Sequence, residues 1–247
     1  MFVALAIPAS NVSKVYPAGN YKVKVLEALP HDVRAYTQGL FFHDGKLYES
    51  SGQYGQSFFR EVDLKRGTTV RSFNLDSKYF AEGATVFDNR LYLLTWQEKV
   101  VLVYDINTFK QLGTLYNPRE GWGLTTDGKH LIMSDGTSNI YFLDPASFRD
   151  IRKIEVTQKG KKIDLLNELE YIDGFIWANV YGADSIVIID PATGDVQSTI
   201  DCKGLLHASL RRPQTDVLNG IAYNPDTGDI FLTGKYWPRM FRVDIVK

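Results

Sequence analysis

Cysteine is almost absent from this chain of 247 residues, where Cys202 stands alone. That excludes an internal disulfide and any cysteine-rich metal site. An excess of one charge is also lacking: the formal net charge is -1, so neither nucleic acid nor an anionic membrane surface is an expected partner. No run of about 20 apolar residues occurs beyond the N-terminal start, so no transmembrane segment is expected. The histidines His31, His43, His130 and His207 show no metal-ligand spacing. There is no glycine-rich phosphate loop, no GxSxG elbow and no HExxH helix. The fold must therefore hold itself by packing, for which a hydrophobic content of 44 % is ample.

What the chain does have is repetition, the first thing to look for in a sequence of this length. Three signals recur together. The first is a tight turn between apolar runs: Asp44-Gly45, Asp88-Asn89, Asp127-Gly128, Asp173-Gly174 and Asp226-Thr227-Gly228. Such turns join hairpin strands because Asn and Gly tolerate positive φ. The second is an apolar residue followed by Asp at a strand end: Val62-Asp63, Tyr104-Asp105, Leu143-Asp144, Ile189-Asp190 and Val243-Asp244. The third is a short phrase whose key residue precedes a glycine or its substitute. It places Gln38, Glu82, Trp122, Asn167 and Asn219 in equivalent positions.

Each signal yields five units of roughly 45 residues, a usual length for one propeller blade. Within a unit the pattern reads strand, turn, strand, loop, strand, turn, strand, rich in β-branched and aromatic residues. The expected fold is all-β, a five-bladed β-propeller that hides its sheet edges by radial packing. The fifth unit ends at Ile245-Val246-Lys247 without an outer strand, and Tyr21 to Leu29 forms an alternating strand left over at the other end. That N-terminal strand is expected to complete the last blade. Residues 21–247 then form one domain, preceded by a tail over residues 1–20. The apolar start of that tail reads either as an export-signal remnant or as a segment packed on the domain. Cys202 to Asp216 is longer than a normal connection and reads as a binding segment or as a surface excursion.

In a meander the start of the first strand and the end of the second lie at one end of the sheet. The ring of Gln38, Glu82, Trp122, Asn167 and Asn219 should therefore share a face with Trp96, Asp135, Tyr181 and Lys235, which follow the second strands. Amides, aromatic walls, a lysine and one acid around a concavity match the anatomy of a small-ligand pocket. A ring with one titratable member is a candidate site of proton transfer. Three uses of Glu82 fit: catalysis, an ion pair with Lys235, or capping of backbone amides that line a wet channel.

The phrases YTQGL (36–40), LYESSGQYGQS (47–57), YFAEG (79–83), GWGL (121–124), SDGTS (134–138), LNELEY (166–171), DVLNGIA (216–222) and TGKYWP (233–238) resemble, in order, those of the plant-type and bacterial glutaminyl cyclases. These are five-bladed glutaminyl-peptide cyclotransferases. The resemblance implies conversion of N-terminal glutamine of peptides and proteins to pyroglutamate with release of ammonia. It implies Glu82 as general acid and base, Asn167 and Lys235 as groups that polarise the amide, and Gln38 as a substrate-binding residue. Phe80, Trp96, Trp122 and Tyr36 would supply aromatic walls. Tyr181 stands where the family pattern has tryptophan, so one wall differs in size and gains a hydroxyl. The resemblance also implies that no cofactor is required, that a structural divalent cation can occupy the central channel, and that the protein acts as a monomer in a secreted or periplasmic setting. Two rival readings are a non-catalytic propeller that binds peptide or protein, and a metal-dependent lactonase-type propeller.

Overall fold

A computed structural model describes residues 16–247; most of the expected tail over residues 1–20 lies outside them. The chain enters through β1 (Gly19–Pro30), slightly longer than the expected Tyr21 to Leu29. The first unit follows with β2 (Thr37–His43), β3 (Lys46–Ser51), β4 (Phe58–Asp63) and β5 (Thr68–Asn74), and the second with β6 (Ala81–Phe87), β7 (Arg90–Thr95), β8 (Val100–Asp105) and β9 (Gln111–Tyr116). The third comprises β10 (Leu124–Thr126), β11 (Leu131–Ser134), β12 (Asn139–Leu143) and β13 (Asp150–Glu155). A two-stranded ribbon of β14 (Thr157–Gln158) and β15 (Lys161–Lys162) leads to the fourth unit: β16 (Leu166–Ile172), β17 (Phe175–Val180), β18 (Ser185–Ile189) and β19 (Val196–Asp201). The last strands are β20 (Leu218–Asn224), β21 (Asp229–Gly234) and β22 (Arg239–Val246).

Within each unit consecutive strands pair antiparallel. β1 runs antiparallel to β22, from Lys22 opposite Val246 to Pro30 opposite Arg239, and so supplies the fourth strand that the C-terminal unit lacks. At its start β1 also pairs parallel with β19 from Gly19 to Lys22, which ties the last two units into one eight-stranded sheet.

The repeated signals have distinct physical jobs. Asp44-Gly45, Asp88-Asn89 and Asp173-Gly174 all hold positive φ at both positions, the geometry of two-residue hairpin turns. The strand-end aspartates bind their own turns: Asp63, Asp105, Asp144 and Asp190 accept backbone N–H groups two or three residues on. That is the side-chain mimicry expected of Asp in a turn.

Apolar side chains fill the space between successive sheets. One cluster joins Phe41, Tyr48 and Phe59 of the first unit to Leu91, Leu93 and Leu102 of the second. Equivalent clusters lie between the second and third, third and fourth, and fourth and fifth units. A fifth, with Leu40, Leu47 and Val62 against Phe231 and Met240, returns from the last unit to the first. The first strands β2, β6, β10, β16 and β20 pack against one another in the same cyclic order. The architecture is all-β and propeller-like. Among the described residues no helix is long and apolar enough to cross a membrane.

The glycine that follows the key residue allows this close approach. A Cβ on Gly83 would lie 2.5 Å from the Leu124 nitrogen, and one on Gly123 would lie 2.0 Å from the Asn167 oxygen. In the fourth unit Glu168 takes the glycine's place. Its carboxylate accepts the N–H groups of Leu40 (3.3 Å) and Ile221 (2.8 Å), clasping the first strands of two other units. The segment from Cys202 to Asp216 is a surface excursion with one 3-10 turn, Ala208–Leu210, anchored by buried Leu205 and Leu206.

Candidate active site

The key residues are aimed inward by irregularities in the first strands. Pairing of β2 with β3 skips between Thr37 and Gly39, leaving Gln38 outside the ladder. Equivalent shifts fall at Glu82, between Ala81 and Ala84, at Asn167, between Leu166 and Leu169, and at Asn219, between Leu218 and Ile221. β-Bulges re-aim side chains in this way. Trp122 lies just ahead of the short β10 and is fixed through its N–H to the Ser134 carbonyl at 3.1 Å.

The second set sits where the second strands end. In four units a backbone N–H there donates to the carbonyl two residues before the key residue. The pairs are Gly52 to Tyr36 (3.0 Å), Trp96 to Phe80 (3.0 Å), Tyr181 to Leu165 (2.8 Å) and Lys235 to Val217 (2.9 Å). Both sets therefore converge at one end of the ring.

They enclose a cavity of about 300 Å³ lined by Tyr36, Gln38, Gln53, Phe80, Glu82, Trp96, Trp122, Asn167, Tyr181 and Lys235. Nine of these were expected from sequence; Gln53 was not. The repeat puts Gly52 at the wall position, and Gln53 stands one residue out of step, so the pattern alone hides it. Asn219 is not on the cavity wall. Its Nδ2 donates to the Thr37 carbonyl at 2.8 Å and to Gln38 Oε1 at 3.3 Å, so it reaches the cavity only by holding Gln38. Asp135 turns away, accepting from Thr137 and from the Tyr141 hydroxyl.

Glu82 is 4 % exposed. Its Oε1 accepts the Gln38 amide N–H at 3.0 Å, and its Oε2 has no partner among the described residues. Burial pushes its carboxyl well above the usual range; Lys235 opposes that, while Glu120 and Glu98 add to it. Between burial and the opposing Lys235 charge, burial wins. Lys235 and Glu82 form no direct ion pair. The Lys235 ammonium lies 4.3 Å from the centroid of Tyr36 and 5.1 Å from that of Tyr181, where cation–π attraction holds it. Burial lowers it to about 8, against the raising effect of Glu82 and Asp216. Asn167 keeps a buried Oδ1 without a hydrogen-bond partner, a cost of about 1–3 kcal/mol that a bound amide would recover.

Glu120 fixes two aromatic walls at once. One of its oxygens accepts the indole N–H of Trp96 at 2.9 Å and of Trp122 at 3.1 Å; the other accepts the Gln97 amide at 3.0 Å. It precedes the third key residue by two positions, the register that Tyr36 and Phe80 hold in the first two units, but an acid there gives no sign in sequence that it binds two indoles.

Glu168 and Glu170 lie deeper, along the axis. Burial, aided by Glu170, raises Glu168 well above its ordinary value, and burial raises Glu170 to about 8. Their oxygens are already committed to the N–H groups of Leu40, Ile221 and Tyr223 and to the Thr125 hydroxyl. No group of three or more His, Cys, Asp or Glu among the described residues could hold a metal ion. The Glu168 and Glu170 oxygens, each already accepting a backbone or hydroxyl donor, do not form an open carboxylate cluster of the kind that holds a divalent cation.

A propeller-like fold whose aromatic cavity holds polar amides and one buried acid without an ion pair defines a protein with a small-ligand site. The comparisons with known proteins narrow that class. The family model described as glutamine cyclotransferase matches residues 1–245. Glutaminyl-peptide cyclotransferase of Arabidopsis thaliana is 37 % identical over 228 residues, covering 91 % of this chain and 71 % of the relative. The crystal structure of Myxococcus xanthus glutaminyl cyclase superposes with a TM-score of 0.86 at 35 % identity, covering 94 % of this chain and 99 % of that one. The WD40 β-propeller domain of Doa1 is similar in fold alone, with a TM-score of 0.50 at 16 % identity over 83 % of this chain and 62 % of that one. This chain belongs to the glutamine cyclotransferase family.

Proposed function

We propose that this protein is a glutaminyl-peptide cyclotransferase that closes the N-terminal glutamine of peptides and proteins to pyroglutamate within the cavity around Glu82. The observation that carries the residue assignment is the free Oε2 of a buried glutamate whose other oxygen is held by Gln38. In the reaction the substrate's α-amine attacks its own side-chain amide carbon. A C–N bond forms, the five-membered lactam closes, and the original amide nitrogen leaves as ammonia.

The nucleophile is carried by the substrate, so holding the side chain folded back is a large part of the task, and orientation of this kind supplies several kcal/mol. The walls of Phe80, Trp96 and Trp122 suit it. Glu82 takes the proton that the attacking amine loses and returns it to the leaving nitrogen, a shuttle favoured by a pKa raised toward that of the groups it serves. The Asn167 amide and the Lys235 ammonium face the oxygen that becomes negative in the tetrahedral intermediate.

The same reading takes the architecture as a five-bladed β-propeller closed by β1, which the cyclic packing of the five first strands supports. It calls for no cofactor, so dialysis against a chelator should leave turnover unchanged. It also takes the protein as a monomer in an extracytoplasmic setting, carried by the substrate class and checked by sedimentation and cell fractionation.

Mass spectrometry of a peptide beginning Gln-Ala tests the central reading, with wild type, Glu82→Gln and buffer in parallel. Loss of ammonia with wild type alone supports it. Equal rates in all three over several peptides would favour a peptide-binding propeller.

A further inference from the structure

The cavity wall is not equally high all round. At the end of the second strand three units place a large side chain there, Trp96, Tyr181 or Lys235, while the first unit places Gly52. A Cβ at Gly52 would lie 2.2 Å from Phe80 Cε1 and 2.7 Å from the Ala81 oxygen, so only glycine lets the chain run this close to the aromatic wall. Gln53 follows at φ 141°, a conformation that side-chain-bearing residues seldom adopt. Its carbonyl is held by the Gln56 N–H at 3.0 Å and the Ser57 hydroxyl at 2.9 Å. Its side-chain amide has no hydrogen-bond partner among the described residues.

Beyond this low point lies a second cavity of about 270 Å³, and Gln53 lines both. Gln56, Ser72 and Asn74 border the second cavity as neutral polar groups. Its charged residues are matched in place: Arg34 is paired with Asp32, and Arg60 with Asp32 and with buried Glu49. A groove whose charges are already satisfied and whose remaining groups are amides and hydroxyls suits uncharged main chain better than a charged side chain.

We propose that this groove is the subsite for the residues that follow the substrate's N-terminal glutamine. The peptide leaves the catalytic cavity over Gly52, and the Gln53 carboxamide, with one donor end and one acceptor end, binds its first peptide group. This rests on the reading that the N-terminal glutamine sits beside Glu82. Selectivity then falls on an unblocked, extended peptide N-terminus rather than on the charge of its later residues.

The test is the ratio of kcat/KM for a Gln-Ala-Ala-Ala amide to that for glutamine amide, measured for wild type, Gln53→Ala, Ser72→Trp and Lys110→Ala. Ser72 is exposed on outer strand β5, so an indole there obstructs the groove without entering the core. In wild type the ratio should exceed one. Loss of one neutral hydrogen bond should lower it about 5-fold in Gln53→Ala, and Ser72→Trp should bring it close to one. Lys110, exposed in the turn between β8 and β9 and lining neither cavity, should leave it within about twofold. A ratio unchanged by both Gln53→Ala and Ser72→Trp, or one collapsed by Lys110→Ala, would overturn the proposal. Turnover of glutamine amide that survives Glu82→Gln would instead overturn the cavity assignment on which it rests.

Discussion

Glu49 on β3 and Glu82 on β6 lie on strands that pack against each other, both removed from water, yet their carboxyl groups are driven in opposite directions. Glu49 is surrounded: Arg60 reaches Oε2 through two nitrogens at 2.8 and 2.5 Å, and His31 and the Thr37 hydroxyl reach Oε1 at 2.9 and 2.6 Å. Burial acts to raise it, but Arg60 and His31 overcome that and hold it well below the usual range. Glu82 has one neutral amide on one oxygen and a lysine that stays with its aromatic rings. Burial therefore prevails. Enclosure alone does not make a proton carrier; enclosure with partners withheld does. One glutamate spends its charge on the fold, and the other is the group that exchanges a proton with the substrate in the proposed reaction.

The largest expected effect breaks the comparison on the Glu82 side. Glu82→Gln should lower kcat/KM by about 10²–10⁴-fold with the melting temperature held or raised, as steady-state kinetics and calorimetry would show. On the other side, Arg60→Ala should cost about 3–5 kcal/mol of stability in urea denaturation, because it leaves a buried carboxylate uncompensated. Asn167→Ala should lower kcat by about 10²–10³-fold with a smaller change in KM, since the lost donor acts on the developing oxyanion.

The two glutamates also predict opposite pH slopes. A raised carboxyl gives stability that is present below the ordinary glutamate value, about 4.3, and is lost as pH rises through the folded value. A lowered one gives stability that is present above that value and is lost as pH falls. The stability difference between wild type and Glu82→Gln should thus move against the mutated residue's charged form with rising pH, while that for Glu49→Gln should grow in wild type's favour. For activity, kcat/KM should fall as pH rises through about 8, where Lys235 loses its proton. Lys235→Arg should abolish that descending limb because a guanidinium stays charged. The smallest effect, a few-fold rise in KM, is expected from Glu120→Gln, which loosens Trp96 and Trp122 and removes only one of the lesser influences on Glu82.

Much of this was legible in the sequence because repetition makes a local signal count five times. The hairpin turns, the turn-binding aspartates and the missing fourth strand of the last unit could each be read from residue types at matching positions. The same repeat singled out Glu82 as the one acid among the five key residues. What escaped were residues whose role depends on breaking the pattern. Gln53 stands one position off the wall register, Glu120 puts an acid where Tyr36 and Phe80 put aromatic walls, and Glu168 replaces a glycine to bind two distant strands. The Glu49, Arg60 and His31 network escaped for a different reason: charged residues at alternating strand positions look exposed until a neighbouring sheet covers them.

Carbon-13 NMR of carboxyl-labelled glutamates across pH, assigned by difference against Glu82→Gln and Glu49→Gln, tests the contrast most directly. The account predicts that Glu82 titrates well above the usual glutamate range while Glu49 stays ionised down to strongly acidic pH. A Glu82 carboxyl that titrates at or below the ordinary value would contradict it.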